Sequence, residues 1–273
     1  LSMLILLFTA SSPSGGDTAA KVESPAPMSQ AQEAQERPVD ETAHTYVLVH
    51  GASGGGWDWK TMDHLLTAEG HVVYRPTLTG LGEKMHLSNP DIDLTTHIMD
   101  ITNVILFEDL HDVVLVGHSY GGMVITGVMS QIPDRVKHAV FLDAAAPEDG
   151  QSAQDLWGIV SESSPHEVID GIVHFNWLDP SQPLPRDVPQ SLKTLTEPVS
   201  FNKPEALKIP VTFIAYVAPG QTIAERSSDP SWQNAKARHW TIRTLESDHN
   251  AQRSHPRALT ALLQEAPGDR NRD

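Results

Sequence analysis

One serine opens the chemistry of this chain. It stands in "VLVGHSYGGM" (114–123), where an apolar run ends and Gly117-His118-Ser119-Tyr120-Gly121 begins a G-x-S-x-G pattern. A serine hydroxyl is a weak nucleophile until a base removes its proton, an acid orients that base, and hydrogen-bond donors receive the developing oxyanion. Alone, the stretch reads either as a nucleophile on a tight turn or as a serine capping a helix after a buried strand. The surrounding glycines favour the nucleophile. The serine backbone in such a turn is strained, and neighbouring turns leave no room for side chains. The helix that follows aims its free N–H groups at Ser119 and favours negative charge there.

Three further strand ends supply the rest. His50-Gly51-Ala52-Ser53-Gly54-Gly55-Gly56 follows the first apolar run. A glycine-rich loop there places a backbone N–H opposite the nucleophile, with Ala52 and Tyr120 as the expected oxyanion donors. A phosphate-binding loop is excluded because no Gly-Lys-Ser/Thr follows. His249, in Asp248-His249 just after "HWTIRTLES", stands where the base belongs in chain order and would relay the serine proton. His44, His64, His111, His138 and His166 read as surface or packed histidines. The acid is less determined. The strand "VTFIAY" is followed by no nearby carboxylate, whereas "FLDAAAPEDG" puts Asp143 at a strand end. Geometry and not chain position defines such a triad, so Asp143 is the choice, with Glu225, Asp229 and Asp248 as alternatives.

These groups need a scaffold that brings strand ends together. Short apolar runs at 44–50, 71–76, 112–117, 138–145, 211–216 and 239–245 alternate with helical stretches near 94–108, 120–131 and 255–264. Strands apolar throughout and separated by helices predict an α/β fold, a mostly parallel sheet with helices on both faces. In such sheets functional groups gather at the carboxyl ends of strands. Residues 147–208 are too long for an ordinary connection and hold Trp157, Phe175 and Trp177, so they read as a cap whose aromatics seek burial. Ser53, Met123, Trp157 and Trp177 are the expected pocket residues.

Composition narrows the partners. With 273 residues, 39% of them hydrophobic, the chain can bury a sizeable core. Nineteen Lys and Arg against 35 Asp and Glu give a net charge of -16, which repels nucleic acid. The absence of cysteine excludes disulfides and thiolate chemistry. No histidine pair has helical metal-ligand spacing around a carboxylate, so neither metal nor organic cofactor is expected. The start "LSMLILLFTASSPSGG" reads as the remnant of a secretory signal or as a fortuitous apolar stretch, too short to span a bilayer. A secreted or periplasmic location follows from the first reading and a cytoplasmic one from the second. Residues 1–42 beyond that start, and 266–273, read as a disordered linker and a flexible tail around a domain at 43–265.

"YVLVHGASGGGWDW", "GHVVYRPTLTGLGEKMHL", "DVVLVGHSYGGMVITGV", "FLDAAAPEDGQS" and "SDHNAQRSHP" together resemble an α/β-hydrolase. More narrowly they resemble the branch of plant methyl-ester esterases, hydroxynitrile lyases and bacterial esterase relatives. The resemblance covers most of residues 45–260 and is loosest in the cap. It implies a cofactor-free serine hydrolase of small to medium, uncharged esters, or of carbamate- and amide-like bonds, acting as a monomer or homodimer without stable membrane insertion. Carried over, Ser119 is nucleophile, His249 base, and Ala52 with Tyr120 oxyanion donors. The chain departs from the plant members in lacking an acid after "VTFIAY"; some other α/β-hydrolases carry it one strand earlier. Two alternatives remain, a hydroxynitrile lyase and a non-catalytic ligand receptor. Lyase members have threonine at the position of Gly51 and lysine at that of Asn250, so hydrolysis is preferred.

Overall fold

The computed structural model describes residues 43–161 and 163–269; the apolar start, the linker at 1–42 and the end of the tail lie outside them. Six parallel strands form the central sheet in the order β2-β1-β3-β4-β8-β9. They are β1 (Thr45–Val49), β2 (Val72–Tyr74), β3 (Val113–His118), β4 (Val136–Leu142), β8 (Val211–Val217) and β9 (Thr241–Glu246). The strand positions meet the sequence expectation to within about two residues at most ends, and every pairing is parallel.

Side-chain alternation explains why the inner strands are apolar throughout. Successive residues of a strand face opposite sides, so a sheet covered on both faces needs apolar groups at every position. Val47, Val49, Leu115, Phe141 and Phe213 join one core with Ile98, Ile101 and Ile105. Those isoleucines come from α2 (Leu94–Phe107), and α3 (Gly121–Gln131) packs beside it. Tyr46, Leu48, Val114, Val116, Val140 and Ile214 form a second core. It is closed by Met62 and Leu66 of α1 (Lys60–Ala68) and by Leu259 and Leu263 of α9 (Pro256–Glu265). Each such buried side chain is worth about 1.5–3 kcal/mol of transfer free energy.

Between β4 and β8 lies the cap. It is more regular than its sequence implied, for β5 (Glu167–Ile169), β6 (Ile172–His174) and β7 (Gln190–Ser191) pair antiparallel. In the chain, the short helix α4 (Ala153–Trp157) precedes this sheet and α5 (Lys193–Thr196) and α6 (Pro204–Leu207) follow it. Pairing so short escaped the sequence reading because the alternation is brief and prolines interrupt it. The cap shares the main core, with Val173, Phe175, Val188 and Leu195 buried in it. Phe175 is covered as expected, whereas Trp157 is 36% and Trp177 51% exposed. After β8 come α7 (Pro230–Ala237) and, past β9, α8 (Ala251–Ser254).

The fold also reaches past residue 265. Ala266 is buried, and Asp269 accepts bonds from the Arg243 guanidinium (2.9 and 2.8 Å) and the Thr212 hydroxyl (2.9 Å). Part of the stretch read as a flexible tail is therefore tied to β8 and β9. Among the described residues no helix is long and apolar enough to cross a membrane.

Candidate active site

β3 ends in a turn that puts Ser119 at φ 53°, the left-handed region a side chain rarely occupies. Such a residue costs about 1–3 kcal/mol and persists only when its surroundings hold it. Three backbone bonds do so here. The Ser119 N–H donates to the Leu142 carbonyl (3.2 Å), and the Ser119 carbonyl accepts from Gly122 and Ala145 (both 3.0 Å). The motif glycine at 121 is required by close approach, since a Cβ there would lie 2.8 Å from the carbonyls of Val49 and His50.

The other groups converge from neighbouring strand ends. The Ser119 hydroxyl lies 3.0 Å from His249 Nε2, and His249 Nδ1 lies 2.7 Å from Asp143 Oδ2. With a carboxylate against Nδ1, that nitrogen carries the imidazole proton and Nε2 accepts from Ser119. Asp143 terminates β4 at φ 43°, its N–H bonded to the Ile214 carbonyl (2.9 Å). Burial opposes ionisation of its carboxyl, but the bond from His249 and the charges of His249 and Arg226 outweigh it, so its pKa is lowered. The structure thus brings Ser119, His249 and Asp143 into one hydrogen-bonded chain.

The alternative acids are all engaged elsewhere. Glu225 accepts from the Thr222 N–H and hydroxyl (2.8 and 2.7 Å), capping its own turn. Asp229 accepts from the Ser231 N–H at the start of α7 (2.9 Å), and Asp248 from the Asn250 N–H (2.8 Å) and the Ser254 hydroxyl (2.9 Å). After β8, where plant relatives were expected to carry an acid, the chain presents Arg226. Its guanidinium bridges Asp143 Oδ1 (2.7 Å) and Asp229 (2.5 Å). A second histidine after β9, His255, is held instead against the Ser247 (3.0 Å) and Ser254 (2.9 Å) hydroxyls.

Ala52 and Tyr120 both line the cleft above Ser119. Neither backbone N–H has a protein acceptor among the described residues. The Gly51–Ala52 peptide is fixed from behind, because His50 Nδ1 donates to the Gly51 carbonyl (2.8 Å) while His50 Nε2 accepts from the Leu78 N–H (3.1 Å). In a trans peptide the N–H points opposite its C=O, so Ala52 N–H is turned away from His50. The Tyr120 ring is anchored by its hydroxyl, which donates to His97 Nδ1 (2.9 Å).

The cleft measures about 830 Å³ and is also lined by Trp157, His166, Phe175 and Trp177 from the cap. Ser53, expected in the pocket, does not line it; it is fully buried and its hydroxyl accepts from Trp177 Nε1. Met123 does not line it; the side chain is fully buried in the main core, since α3 turns that face onto the sheet. His166, read as surface or packed, lies edge-on to Trp177 (5.2 Å between ring centres) in the cleft wall. The far wall is polar. Asp58, buried, ion-pairs with Arg253, whose guanidinium lies 3.5 Å from Asp187 and over the Trp57 ring. Burial raises the Asp187 pKa, with Arg253 opposing and Asp58 adding to the effect. Asp58 and Arg253 lie inside the quoted family stretches but were given no role there, and Asp187 carries no local motif.

The middle histidine of the motif was also missed. His118 Nε2 donates to the His249 carbonyl (2.7 Å), tethering the loop that bears the candidate base. Burial, reinforced by the charge of His249, pushes its pKa down to about 4. Burial likewise pushes His97 and His138 to about 4. An unfolded chain protonates these histidines near pH 6.5, so between there and pH 4 it binds more protons than the folded one. Stability is therefore fully present above about pH 6.5 and falls as pH drops through that window, by up to about 1.4 kcal/mol per pH unit for each histidine. Urea unfolding at pH 7.5, 6 and 5 measures this; a midpoint that stays constant or rises on acidification contradicts it.

A serine on a strained strand-to-helix turn, over a parallel sheet and reached by a histidine after the last strand, defines the folds built around a nucleophile elbow. The chain belongs to the alpha/beta hydrolase family, whose model matches residues 46–262. It is similar to a carbendazim hydrolyzing esterase from Nocardioides sp. (strain SG-4G), 47% identical over 123 residues. That match covers 45% of this chain and only 50% of that protein. A pheophorbidase from Raphanus sativus is 28% identical over 259 residues, covering 82% of this chain and 94% of that one. Among solved structures, an extracellular alpha/beta-hydrolase from a Paenibacillus species superposes with a TM-score of 0.64 at 24% identity. It covers 83% of this chain and 100% of that one, a likeness of fold.

Proposed function

We propose that this chain is a serine hydrolase of carboxylic esters or carbamates, working through an acyl-enzyme. The observation that carries the reading is the unbroken run of hydrogen bonds from Asp143 through His249 to Ser119, beside two unpaired amides. Ser119 Oγ attacks the substrate carbonyl as His249 Nε2 takes its proton. The tetrahedral oxyanion rests on the N–H groups of Ala52 and Tyr120, each worth about 3 kcal/mol in the transition state. His249 returns the proton to the departing alcohol, and water then repeats the sequence to release the acid. Asp143 holds the imidazole tautomer and stabilises the imidazolium. The esterase names of the relatives support the same reaction class.

Lyase chemistry is disfavoured by two positions. A Cβ at Gly51 would sit 3.0 Å from Ser119 Cβ and 3.1 Å from His118 Nδ1, so the threonine of lyases would crowd the nucleophile. Asn250, which lines the cleft, offers no cation to stabilise a leaving cyanide. All proposed groups come from one chain, so the site needs no second copy to be complete.

The walls favour a medium-sized, uncharged, aromatic substrate. The cap supplies indole and phenyl surface, and the polar wall sets two carboxylates, Asp58 and Asp187, against one guanidinium. Like charge excludes an anion from such a low-dielectric site. A panel of neutral p-nitrophenyl esters, aryl carbamates and a succinate half-ester tests this. Neutral esters are expected to exceed the half-ester at least roughly tenfold in kcat/KM; an equal or reversed preference rejects the substrate class. The reaction class is tested with a fluorophosphonate and peptide mapping. Label on Ser119 supports it, and an unlabelled Ser119 in folded protein refutes it.

A further inference from the structure

Resting on the esterase reading, we infer that Gln190, delivered by the cap sheet, is a positioning residue that holds the Ala52 side of the oxyanion site. Gln190 is 1% exposed and stands on β7, paired with Val173 of β6. Its Oε1 accepts from the backbone N–H of Ser53 (2.9 Å), and its Nε2 donates to the Thr194 hydroxyl (2.7 Å). The Thr194 hydroxyl donates in turn to the Ser191 carbonyl (2.6 Å). One amide side chain therefore ties the residue after Ala52 to the cap segment 190–194.

Ser53 needs such a partner. It is a non-glycine residue at φ 61°, and its polar groups are tied largely to the cap. Besides the N–H on Gln190, its carbonyl accepts from the Val188 N–H (2.9 Å). Its hydroxyl accepts from Trp177 Nε1 (3.1 Å) and donates to the Ala52 carbonyl (2.6 Å). On the inner side His50 fixes the Gly51–Ala52 peptide. The cap thus fixes the outer side, and the donor at Ala52 is clamped between the two. A buried N–H left without an acceptor is penalised by its lost solvation, which lets this loop leave its strained conformation. The cap is then part of the transition-state machinery and not only the wall that receives substrate.

The test separates these roles. Gln190→Met keeps volume and length but removes acceptor and donor. Its kcat toward a neutral p-nitrophenyl ester is expected to fall about 10- to 100-fold, with KM within about threefold, because an oxyanion donor is misplaced while the pocket persists. Affinity for an aryl trifluoromethyl ketone, which forms a tetrahedral oxyanion on Ser119, should fall by a similar factor. Thr194→Val, which removes the partner of Gln190 Nε2 while its Oε1 stays, should show the same pattern in milder form and serves if Gln190→Met fails to fold. An unchanged kcat in folded variants, or a rise in KM alone with ketone affinity intact, overturns the proposal. Wild-type protein, labelled and assayed in parallel, distinguishes this from failure of the esterase reading, which would show as absent turnover and an unlabelled Ser119 before any substitution.

Discussion

Ser119→Ala is expected to lower kcat by about 10⁶-fold, leaving only the residual acceleration that binding and the oxyanion donors provide. The size follows from the arrangement, because His249 and Asp143 act only through the serine proton and have nothing to deliver without it. KM for a neutral ester should change little, since Ser119 Oγ is small beside a cleft of about 830 Å³. The backbone adds a second signature. At φ 53° any Cβ is strained, so Ser119→Gly should be as inactive as the alanine variant yet more stable by about 1 kcal/mol. Steady-state hydrolysis and urea unfolding of the two variants read both effects. Turnover of Ser119→Ala within tenfold of wild type would reject the nucleophile, and equal stability of the two would reject the strain.

Asp143→Asn is expected to cost about 10⁴-fold in kcat while the protein stays folded. The amide NH₂ would face His249 Nδ1 and drive the proton to Nε2, where it blocks acceptance from Ser119. The loss is one of tautomer and charge, with shape retained. Arg226 keeps its partner Asp229, so the turn after β8 is not left with an isolated cation. Glu225→Gln, Asp229→Asn and Asp248→Asn provide the contrast, each expected within about tenfold of wild type because those carboxylates serve caps and turns. kcat measured across the four variants decides the assignment. If Asp143→Asn retains activity and one of the others loses it, the acid has been assigned to the wrong strand.

How far local pattern reaches explains which of these residues the sequence disclosed. Ser119 and the Ala52 loop were legible because a strained turn and a close backbone approach demand glycine at set offsets, and those offsets lie within a few residues. The six strands were legible for a related reason: a parallel sheet covered on both sides needs runs such as Val113–Val116 without polar interruption. His249 was legible through chain order and Asp143 through its place at a strand end. The sequence by itself therefore determined the elbow, the sheet and the short list of charged partners.

Only the tertiary structure decided which of those partners meet. Asp143 and His249 are 106 residues apart, and the pairing of β4 with β8 and of β8 with β9 brings their strand ends side by side. Arg226, sitting where an acid was sought, has meaning only beside the Asp143 carboxylate. Met123 looked like pocket and is core, because α3 turns it onto the sheet. His166 was read as surface or packed and is cleft wall, and Gln190, which carried no signal, is a buttress because the brief antiparallel cap sheet sets it against Ser53. Periodicity reports the environment of a residue along its own element. It carries no information about which distant backbone N–H a buried amide will satisfy, and in this cap that satisfaction is what links the lid to the chemistry.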